Sequence, residues 1–443
     1  MHMFMGACRG LQGVQGGAQG AQACTPLGGA YAFFLLLLLP LSSQSHQHRP
    51  LGHAAGRLPG PSAMPHEQGR GALPRHSVSG FSSGASLALN HLLAFSSSVV
   101  GAGILAGSPY GCASLPDAGN VCSGMGHSGV LPNASIPWAQ YVTRCVAYAH
   151  SRSAQGTIDP IASLKGKPIF LFSGTEDTIV FPPVMHATQT QLAQLNASVR
   201  AKFDIPAQHS WVVDSQTCVH PGARAPSECC GFKDASTTCP PPSQLMPSAS
   251  GCCGECAAGG HGSPWWKPPI NSCDYDLSGE MLRFILGGAN RSSGQALPLS
   301  RAQPLPANLR SVNQSALLPA GWSAASAFVD EQGFVYMPTR CEANLSSCTV
   351  HVHYHACGAG WRFLSSSYML ETGLAAYAEG SGIVLVYPQA SERGPSGYGC
   401  WDWYGATGPD VFDTRDGVQL RLALHIVESL PELTRAGKVA RQL

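Results

Sequence analysis

The sequence predicts an α/β fold in which helices flank a mostly parallel β-sheet. Short apolar runs end at proline, glycine or serine, and between them lie longer segments whose apolar residues recur every three or four positions. The short runs are typical of strands buried on both faces, and the longer period is typical of amphipathic helices. Strands that alternate with helices favour crossover connections and therefore parallel strand pairs.

Four strands and four helices are predicted within one domain. Strands are expected at Ser77–Ser79, Lys167–Phe172, Thr349–Tyr354 and Ile383–Tyr387. Helices are expected at Ala85–Phe95, Val184–Leu195, Leu277–Leu286 and Asp416–Leu430. Together they predict a domain over residues 76–430, followed by a C-terminal tail over residues 431–443.

Two stretches inside this domain lack periodicity. Residues 219–262 combine closely spaced cysteines with proline, serine and glycine, which predicts an insertion stapled by disulfides. A zinc site that uses Cys253 and Cys256 is the alternative for this insertion. Residues 288–320 are predicted to form an irregular connector.

The N-terminal residues are predicted to form a signal peptide and a linker. Residues 1–45 contain the apolar segment Tyr31–Leu41, which is shorter than the about 20 residues of a bilayer span and is typical of a signal peptide. Residues 46–75 are rich in glycine, proline, histidine and serine, as flexible linkers are. We expect a secreted mature chain without a membrane span, the alternative being an uncleaved anchor on a lumenal protein.

Cysteines and glycosylation sequons also favour the secretory route. The chain has 17 cysteines, and Cys8 and Cys24 precede the apolar segment, so an odd number remains after its removal. One thiol is therefore predicted to be unpaired or to pair between chains. Asn-x-Ser sequons begin at Asn133, Asn196, Asn290, Asn313 and Asn344. The net charge of +1 argues against nucleic acid as a partner.

The segment Gly80-Phe81-Ser82-Ser83-Gly84 matches the pattern G-x-S-x-G between a predicted strand and a predicted helix. A sharp turn at this point lifts the serine hydroxyl above the sheet and requires small neighbours. In a chain with 51 glycines such a match also arises by chance, so a plain glycine-rich turn is the alternative. The strand-and-helix context favours Ser82 as a nucleophile.

A serine nucleophile needs a base, and the base needs an acid that orients it. Asp177 follows a predicted strand at the edge where functional groups of parallel sheets gather, and Glu176 is its competitor. His209 follows on a predicted loop, with His186 and His220 as alternatives. The chain order serine, aspartate, histidine is the order expected of α/β-hydrolases.

One element of that fold is displaced in this chain. In ordinary α/β-hydrolases, a His-Gly loop that donates oxyanion-hole amides precedes the nucleophile. Nothing upstream of Ser82 offers such a loop, whereas His355-Ala356-Cys357-Gly358 follows a predicted strand near the far end. We therefore predict an α/β-hydrolase-type, mostly parallel sheet that is circularly permuted and carries a Cys-rich insertion.

With these motifs the chain resembles the single-domain extracellular polyhydroxybutyrate depolymerases. The segments that match are Ser79–Gly84, Ser98–Gly103, Gly107–Cys112, Gly174–Asp177, Pro269–Asp276, His355–Gly358, Val386–Ala390 and Gly399–Gly405. Residues 219–262 and 288–320 match poorly. The Cys-Trp-Asp-Trp segment and the Pro-Gln-Ala strand end are specific to this group.

The resemblance implies an esterase that cleaves polyesters or oligoesters of 3-hydroxyalkanoic acids through an acyl-enzyme. It implies a triad of Ser82, Asp177 and His209, and an oxyanion hole made by the backbone amides of Ser83 and Cys357. This chemistry requires no metal and no organic cofactor.

The resemblance also implies how the substrate crevice is lined. Trp401, Trp403 and Tyr404 would line it, with one of the two tryptophans expected in the core instead. Cys357 and Cys400 would form a disulfide near the site.

The chain departs from the family at Ala356, where a glycine is usual. If this position needs a positive φ, alanine strains the loop, and a lost oxyanion donor lowers the rate about 10²–10³-fold. The Cys-rich insertion would also change which ester fits the cleft.

Other interpretations stay open. The same triad suits feruloyl or acetyl esters of polysaccharide, and an inactive secreted binding protein would use the insertion as its functional surface. His351, His353 and His355 alternate on one strand face, and metal binding by them is the less favoured interpretation.

Overall fold

The computed structural model describes residues 73–115, 122, 137–214, 270–287, 298–394 and 397–440. The predictions on the leader, the Cys-rich insertion, Asn133, Asn290 and His220 lie outside the described residues. Within these ranges, no helix is both long enough and apolar enough to span a membrane.

An eight-stranded sheet forms the centre of the domain. The strands among the described residues are β1 (His76–Phe81), β2 (Val99–Leu105), β3 (Pro168–Phe172), β4 (Ser198–Lys202), β5 (Trp211–Val213), β6 (Ile270–Ser272), β7 (Leu309–Asn313), β8 (Gln332–Tyr336), β9 (Thr349–Tyr354) and β10 (Ile383–Tyr387). The order across the sheet is β4-β3-β2-β1-β9-β10-β8-β7. Only the pairs that involve β8 are antiparallel. The mostly parallel sheet is therefore confirmed, as are the four predicted strands.

A second, two-stranded sheet pairs β5 with β6 in parallel. β5 begins two residues after His209, and the Cys-rich insertion lies in the chain between β5 and β6. The pairing therefore brings together, beside the loop that carries His209, two strands between which the insertion lies in the sequence.

The helices pack on both faces of the main sheet. They are α1 (Ser83–Ala94), α2 (Trp138–Ala154), α3 (Pro182–Gln194), α4 (Leu277–Gly287), α5 (Thr339–Ala343), α6 (Trp361–Leu364), α7 (Ser367–Glu371), α8 (Leu374–Ser381) and α9 (Val418–Ala440). The four predicted helices are confirmed as α1, α3, α4 and α9.

Alternating side chains of the strands divide most of the core into two large apolar clusters. Along β10, Val384 and Val386 belong to one cluster, whereas Ile383 and Leu385 belong to the other. Successive side chains of a strand point to opposite faces, so each cluster covers one face of the sheet. The first cluster includes α1 and α9, and the second includes α4 and α8.

Two predicted boundaries differ from the structure. The predicted irregular connector contains β7, and α9 continues through Pro431 to Ala440 where a tail was predicted. β7 lies at the sheet edge and is only partly buried, so it lacks an apolar run. α9 extends past its proline because Leu433 still packs against the core.

Buried polar side chains join β1 to β9 at the centre of the sheet. Ser77 Oγ and Ser79 Oγ lie 2.7 Å from the two ring nitrogens of His351, and Ser79 Oγ also lies 2.8 Å from His353 Nδ1. The Tyr368 hydroxyl oxygen lies 3.2 Å from His353 Nε2, within hydrogen-bonding distance. Two of the three strand histidines are therefore engaged in hydrogen bonds within the sheet.

A second chain of hydrogen bonds lies under α1. His76 donates from Nδ1 to the Pro74 carbonyl at 2.8 Å, so its Nε2 accepts from His91 Nε2 at 2.9 Å. His91 Nδ1 then accepts the Tyr354 hydroxyl at 2.7 Å. His76 is neutral in this arrangement, and the contact between the two Nε2 atoms excludes protonation of both rings at once, because a second Nε2 proton would face the first.

We predict that folding stability falls steeply below neutral pH. Burial lowers the pKa of all five histidines below their unfolded value of about 6.5, to about 3 for His351 and about 4 for His355. The five are His76, His91, His351, His353 and His355. Below about pH 6.5 the unfolded chain binds protons that the folded chain rejects, which costs up to about 1.4 kcal/mol per pH unit for each histidine.

The measurement is the free energy of unfolding in urea at a series of pH values below neutral. Asp413 opposes the trend: burial raises the pKa of its carboxyl to about 6, so the folded chain binds this proton more readily than the unfolded chain does. It is one group against five histidines. The exposed His150 provides a control substitution, since His150→Gln removes a histidine from the surface and leaves the five buried rings in place. A free energy that stays flat as the pH falls from 6.5 to 5 would contradict the prediction.

Candidate active site

Ser82 lies in a strained turn between β1 and α1. Its backbone has φ 60° and ψ −124°, a conformation that costs about 1–3 kcal/mol for a residue with a side chain. Its N–H donates to the Leu105 carbonyl at 2.9 Å, and its carbonyl accepts from the Ala85 N–H at 2.9 Å. β2 and the first turn of α1 therefore hold the serine in this conformation.

The two motif glycines permit the close packing that the turn requires. A Cβ at Gly80 would lie 2.0 Å from the Gly84 carbonyl oxygen, and a Cβ at Gly84 would lie 2.3 Å from the Tyr354 carbonyl oxygen. The first glycine allows the chain to fold back on itself. The second lets α1 approach the end of β9, where the oxyanion loop begins.

Asp177 and His209 are hydrogen-bonded to one another. Asp177 Oδ2 accepts from His209 Nδ1 at 2.8 Å, while its other oxygen accepts the N–H groups of Ile179 at 2.8 Å and Val180 at 2.9 Å. The Asp177 side chain is 1% exposed and the His209 side chain 12%. The carboxylate is thus fixed by two amides and leaves one oxygen for the imidazole.

His209 lies beside the residue that precedes the serine. Its ring packs on Phe81 with ring centroids 4.7 Å apart. Among the described residues, no hydrogen bond joins Ser82 Oγ to the imidazole. Such contacts are often long in a free enzyme and shorten when substrate binds.

The competing candidates do not form this arrangement. Glu176 is exposed, whereas its neighbour Asp177 is buried. His186 is exposed on α3 and packs against Phe203. The geometry therefore favours Asp177 and His209 over these two residues.

The amides of Ser83 and Cys357 are available as donors. In the described part of the chain, neither N–H has a hydrogen-bond acceptor. Ser83 opens α1, where the first N–H groups of a helix lack partners within the helix. Ser83 Oγ lies 3.3 Å from Cys357 Sγ and accepts the Trp401 N–H at 3.2 Å. The two predicted oxyanion residues are thus in contact.

The disulfide implied by the resemblance is present, since Cys357 is bonded to Cys400. It ties the oxyanion loop to the segment that carries Trp401. Among the other described cysteines, Cys112–Cys122 and Cys341–Cys348 are disulfides, Cys273 is also disulfide-bonded, and Cys145 is a buried free thiol.

His355 holds the oxyanion loop from within. Its Nδ1 donates to the Ala356 carbonyl at 2.8 Å, and its Nε2 accepts the Ala390 N–H at 3.1 Å. Burial lowers the pKa of His355 to about 4, which agrees with the neutral ring that these bonds require. The sequence offered no signal for this role, because Ala390 follows β10 and is distant along the chain.

The strain considered for Ala356 does not arise. Ala356 is not among the described residues of positive φ, whereas Gly358 has φ 67°. The left-handed position of this loop therefore falls on Gly358, where the chain does have a glycine, and alanine at 356 is tolerated.

The three predicted crevice aromatics differ in exposure. Trp401 is 1% exposed, and its indole N–H donates to the His355 carbonyl at 3.0 Å. Trp401 is therefore the tryptophan that lies in the core. It supports the oxyanion loop and does not line the crevice, whereas the resemblance had implied that it would. Trp403 is half-buried and packs edge-on against Tyr404, which is 40% exposed. This pair remains available to a ligand.

Asp402 orders the loop that carries these aromatics, and sequence reasoning missed it. Its buried carboxylate accepts the N–H groups of Gly405 at 2.8 Å, Ala406 at 2.9 Å and Thr407 at 2.7 Å. An aspartate followed by a glycine three residues later is a turn signal that could have indicated this role.

We predict that opening the Cys357–Cys400 disulfide lowers kcat on a soluble ester by about 10²–10³-fold, the cost of one misplaced oxyanion donor. Cys400→Ser is the variant, and kcat with the thermal unfolding midpoint is the measurement. Cys348→Ser opens the disulfide at the opposite end of β9 and serves as the control. Equal losses in both variants would argue for a general effect on stability.

The parallel sheet, the strained serine after β1 and the Asp–His pair after β3 define an α/β-hydrolase-type fold. The chain is similar to polyhydroxybutyrate depolymerases, and the resemblance predicted from its motifs is confirmed. It is 29% identical over 332 residues to poly(3-hydroxybutyrate) depolymerase of Delftia acidovorans, which covers 74% of this chain and 54% of that protein. It is 27% identical over 360 residues to polyhydroxybutyrate depolymerase of Talaromyces funiculosus, which covers 78% and 86%.

Solved structures show the same similarity. The structure of PHB depolymerase from Penicillium funiculosum aligns with a TM-score of 0.55 and 25% identity, over 81% of this chain and 98% of that chain. A serine-to-alanine PHB depolymerase complexed with an R3HB trimer aligns with the same values. No protein-family model matches the chain. The chain spans about half the length of the Delftia protein (54%).

Proposed function

We propose that this chain is a serine esterase that hydrolyses oligomers or polymers of 3-hydroxyalkanoic acids through an acyl-enzyme. The observation that carries the proposal is the Asp177–His209 bond beside the strained turn of Ser82. The similar PHB depolymerase complexed with an R3HB trimer supports the class of ester.

The proposed mechanism assigns one task to each group. His209 Nε2 takes the Ser82 hydroxyl proton as Ser82 Oγ attacks the ester carbonyl carbon. Asp177 keeps the imidazole in the tautomer that leaves Nε2 free, and it stabilises the imidazolium. The Ser83 and Cys357 amides then bind the oxyanion. The protonated His209 releases the alcohol, and water activated by His209 hydrolyses the acyl-enzyme.

We propose that the hydrolase sheet is circularly permuted. β1, which leads into the nucleophile, is the first strand among the described residues and yet is central in the sheet. The oxyanion loop follows β9, the neighbour of β1, and so approaches the nucleophile from the far end of the sequence. Permutation is what brings a late loop and an early strand together.

We also propose that the chain is exported through a signal peptide and glycosylated. The disulfides among the described residues support this, because such bonds persist in oxidising compartments.

A substrate panel tests the proposed activity. The full chain is incubated with a trimer of (R)-3-hydroxybutyrate, a feruloyl ester and acetylated xylan, and the released acids are quantified. We expect the trimer to be the preferred substrate. Preference for a feruloyl or acetyl ester would show that the triad serves the hydrolysis of polysaccharide esters instead. Inertness toward all three, with no labelling of Ser82 by a phosphonate probe, would favour a binding protein.

A further inference from the structure

The main sheet has two open edges. β4 and β7 are its outermost strands, and the described residues place no strand beyond either of them. Each edge strand therefore presents backbone N–H and C=O groups to which another chain can pair, and proteins protect such edges against association.

A glycosylation sequon lies at each of these edges. Asn196-Ala197-Ser198 ends on the first residue of β4, and Asn313 is the last residue of β7, in the sequon that ends at Ser315. The two sequons are distant along the chain, and the order of the sheet places them at its opposite sides.

The geometry of both sequons leaves the modifiable atom accessible. Asn196 and Asn313 are exposed, and in the described part of the chain the side-chain nitrogen Nδ2 of neither residue has a hydrogen-bond partner. Asn313 Oδ1 accepts the Ala316 N–H at 3.1 Å, which orients the side chain and leaves Nδ2 free. Gln314 is fully buried, whereas Asn313 and Ser315 are exposed on either side of it.

A third described sequon provides the comparison. Asn344 is also exposed, but it lies inside the loop closed by Cys341–Cys348, ahead of the central strand β9. A sugar at this position is not next to an edge strand.

We propose that Asn196 and Asn313 carry N-linked oligosaccharides, and that these sugars cover the two open edges of the sheet and prevent edge-to-edge association. The inference rests on the proposed secretory route. The co-reactant is a lipid-diphosphate-linked oligosaccharide: Nδ2 bonds to the anomeric carbon of the sugar, the bond from that carbon to the lipid diphosphate breaks, and one amide proton leaves with the lipid diphosphate. N-linked sugars are bulky and solubilising, as shielding of an edge requires.

The test uses the full chain produced in a glycosylating secretory host. Ser198→Ala and Ser315→Ala, combined in one chain, remove both sequons and keep the asparagines. Ser346→Ala removes the comparison sequon at Asn344. Site occupancy is mapped by glycopeptide mass spectrometry, and association is followed by size-exclusion chromatography with light scattering during prolonged incubation.

We expect sugars at Asn196 and Asn313 and a several-fold faster association of the double variant, with the Ser346→Ala variant behaving like the parent. Secreted protein that is unmodified at either edge site would overturn the inference, as would retention of the unmodified chain inside the cells. A double variant that stays as monomeric as the parent would overturn the shielding role.

Hydrolysis of a soluble ester is measured in the same samples. Absent hydrolysis in a glycosylated monomer counts against the proposed activity alone, and intact hydrolysis without sugars counts against this inference alone.

Discussion

Replacing Ser82 by alanine is expected to lower kcat for ester hydrolysis by about 10⁶-fold, because the attacking hydroxyl is removed while binding and the oxyanion donors remain. The fold should persist. Serine and alanine both carry a Cβ, so the backbone conformation at φ 60° costs a similar free energy in both. The measurements are hydrolysis of a 3-hydroxybutyrate trimer, labelling by a fluorophosphonate and the thermal unfolding midpoint.

Ser365 offers a matched control for this experiment. It has φ 49° and ψ −135°, close to the backbone conformation of Ser82, but it is exposed after α6. Ser365→Ala should therefore leave both hydrolysis and labelling unchanged. Hydrolysis that survives in the Ser82 variant, or labelling that is lost in the Ser365 variant, would refute Ser82 as the nucleophile.

The sequence predicts strands best where both faces are buried. β3 and β10 are largely buried and are recognisable as apolar runs, whereas the edge strand β4 consists of Ser-Val-Arg-Ala-Lys and is partly exposed. Edge strands need only one apolar face, so their composition resembles that of loops.

β2 is central in the sheet and was nevertheless not predicted. Glycines interrupt its apolar run, and the structure gives the reason. A Cβ at Gly101 would lie 2.6 Å from the Ile285 carbonyl oxygen, and a Cβ at Gly103 would lie 2.1 Å from Met281 Sδ. Both contacts are made by α4, so the glycines reflect a packing partner that follows much later in the chain.

The same limit applies to the site. Ser82 belongs to a local motif, and Asp177 with His209 follows in the order that the fold requires, so these residues could be proposed from sequence. The roles of His355 and Trp401 depend on hydrogen bonds to residues that come from other segments. Residue order carries no information on such contacts, and only the folded geometry reveals which tryptophan is buried.

Replacing Asp177 by asparagine is expected to lower kcat by about 10⁴-fold with little change in fold. The carboxylate accepts three hydrogen bonds, from His209 Nδ1 and from the amides of Ile179 and Val180. An asparagine that keeps its oxygen toward the two amides turns its NH₂ group toward His209. The imidazole then carries its proton on Nε2 and cannot accept the proton of Ser82.

Glu176→Gln is the matched control, because it removes the same charge from the exposed neighbour of Asp177. Single-turnover rates and the rate of fluorophosphonate labelling of Ser82 should fall together in the Asp177 variant and stay at the parent's level in the Glu176 variant. Since the lost function is orientation of the base, binding of the trimer should be retained in both. A loss confined to the Glu176 variant would show that Glu176, and not Asp177, orients His209. Equal losses in both variants would point to a general electrostatic effect of the loop.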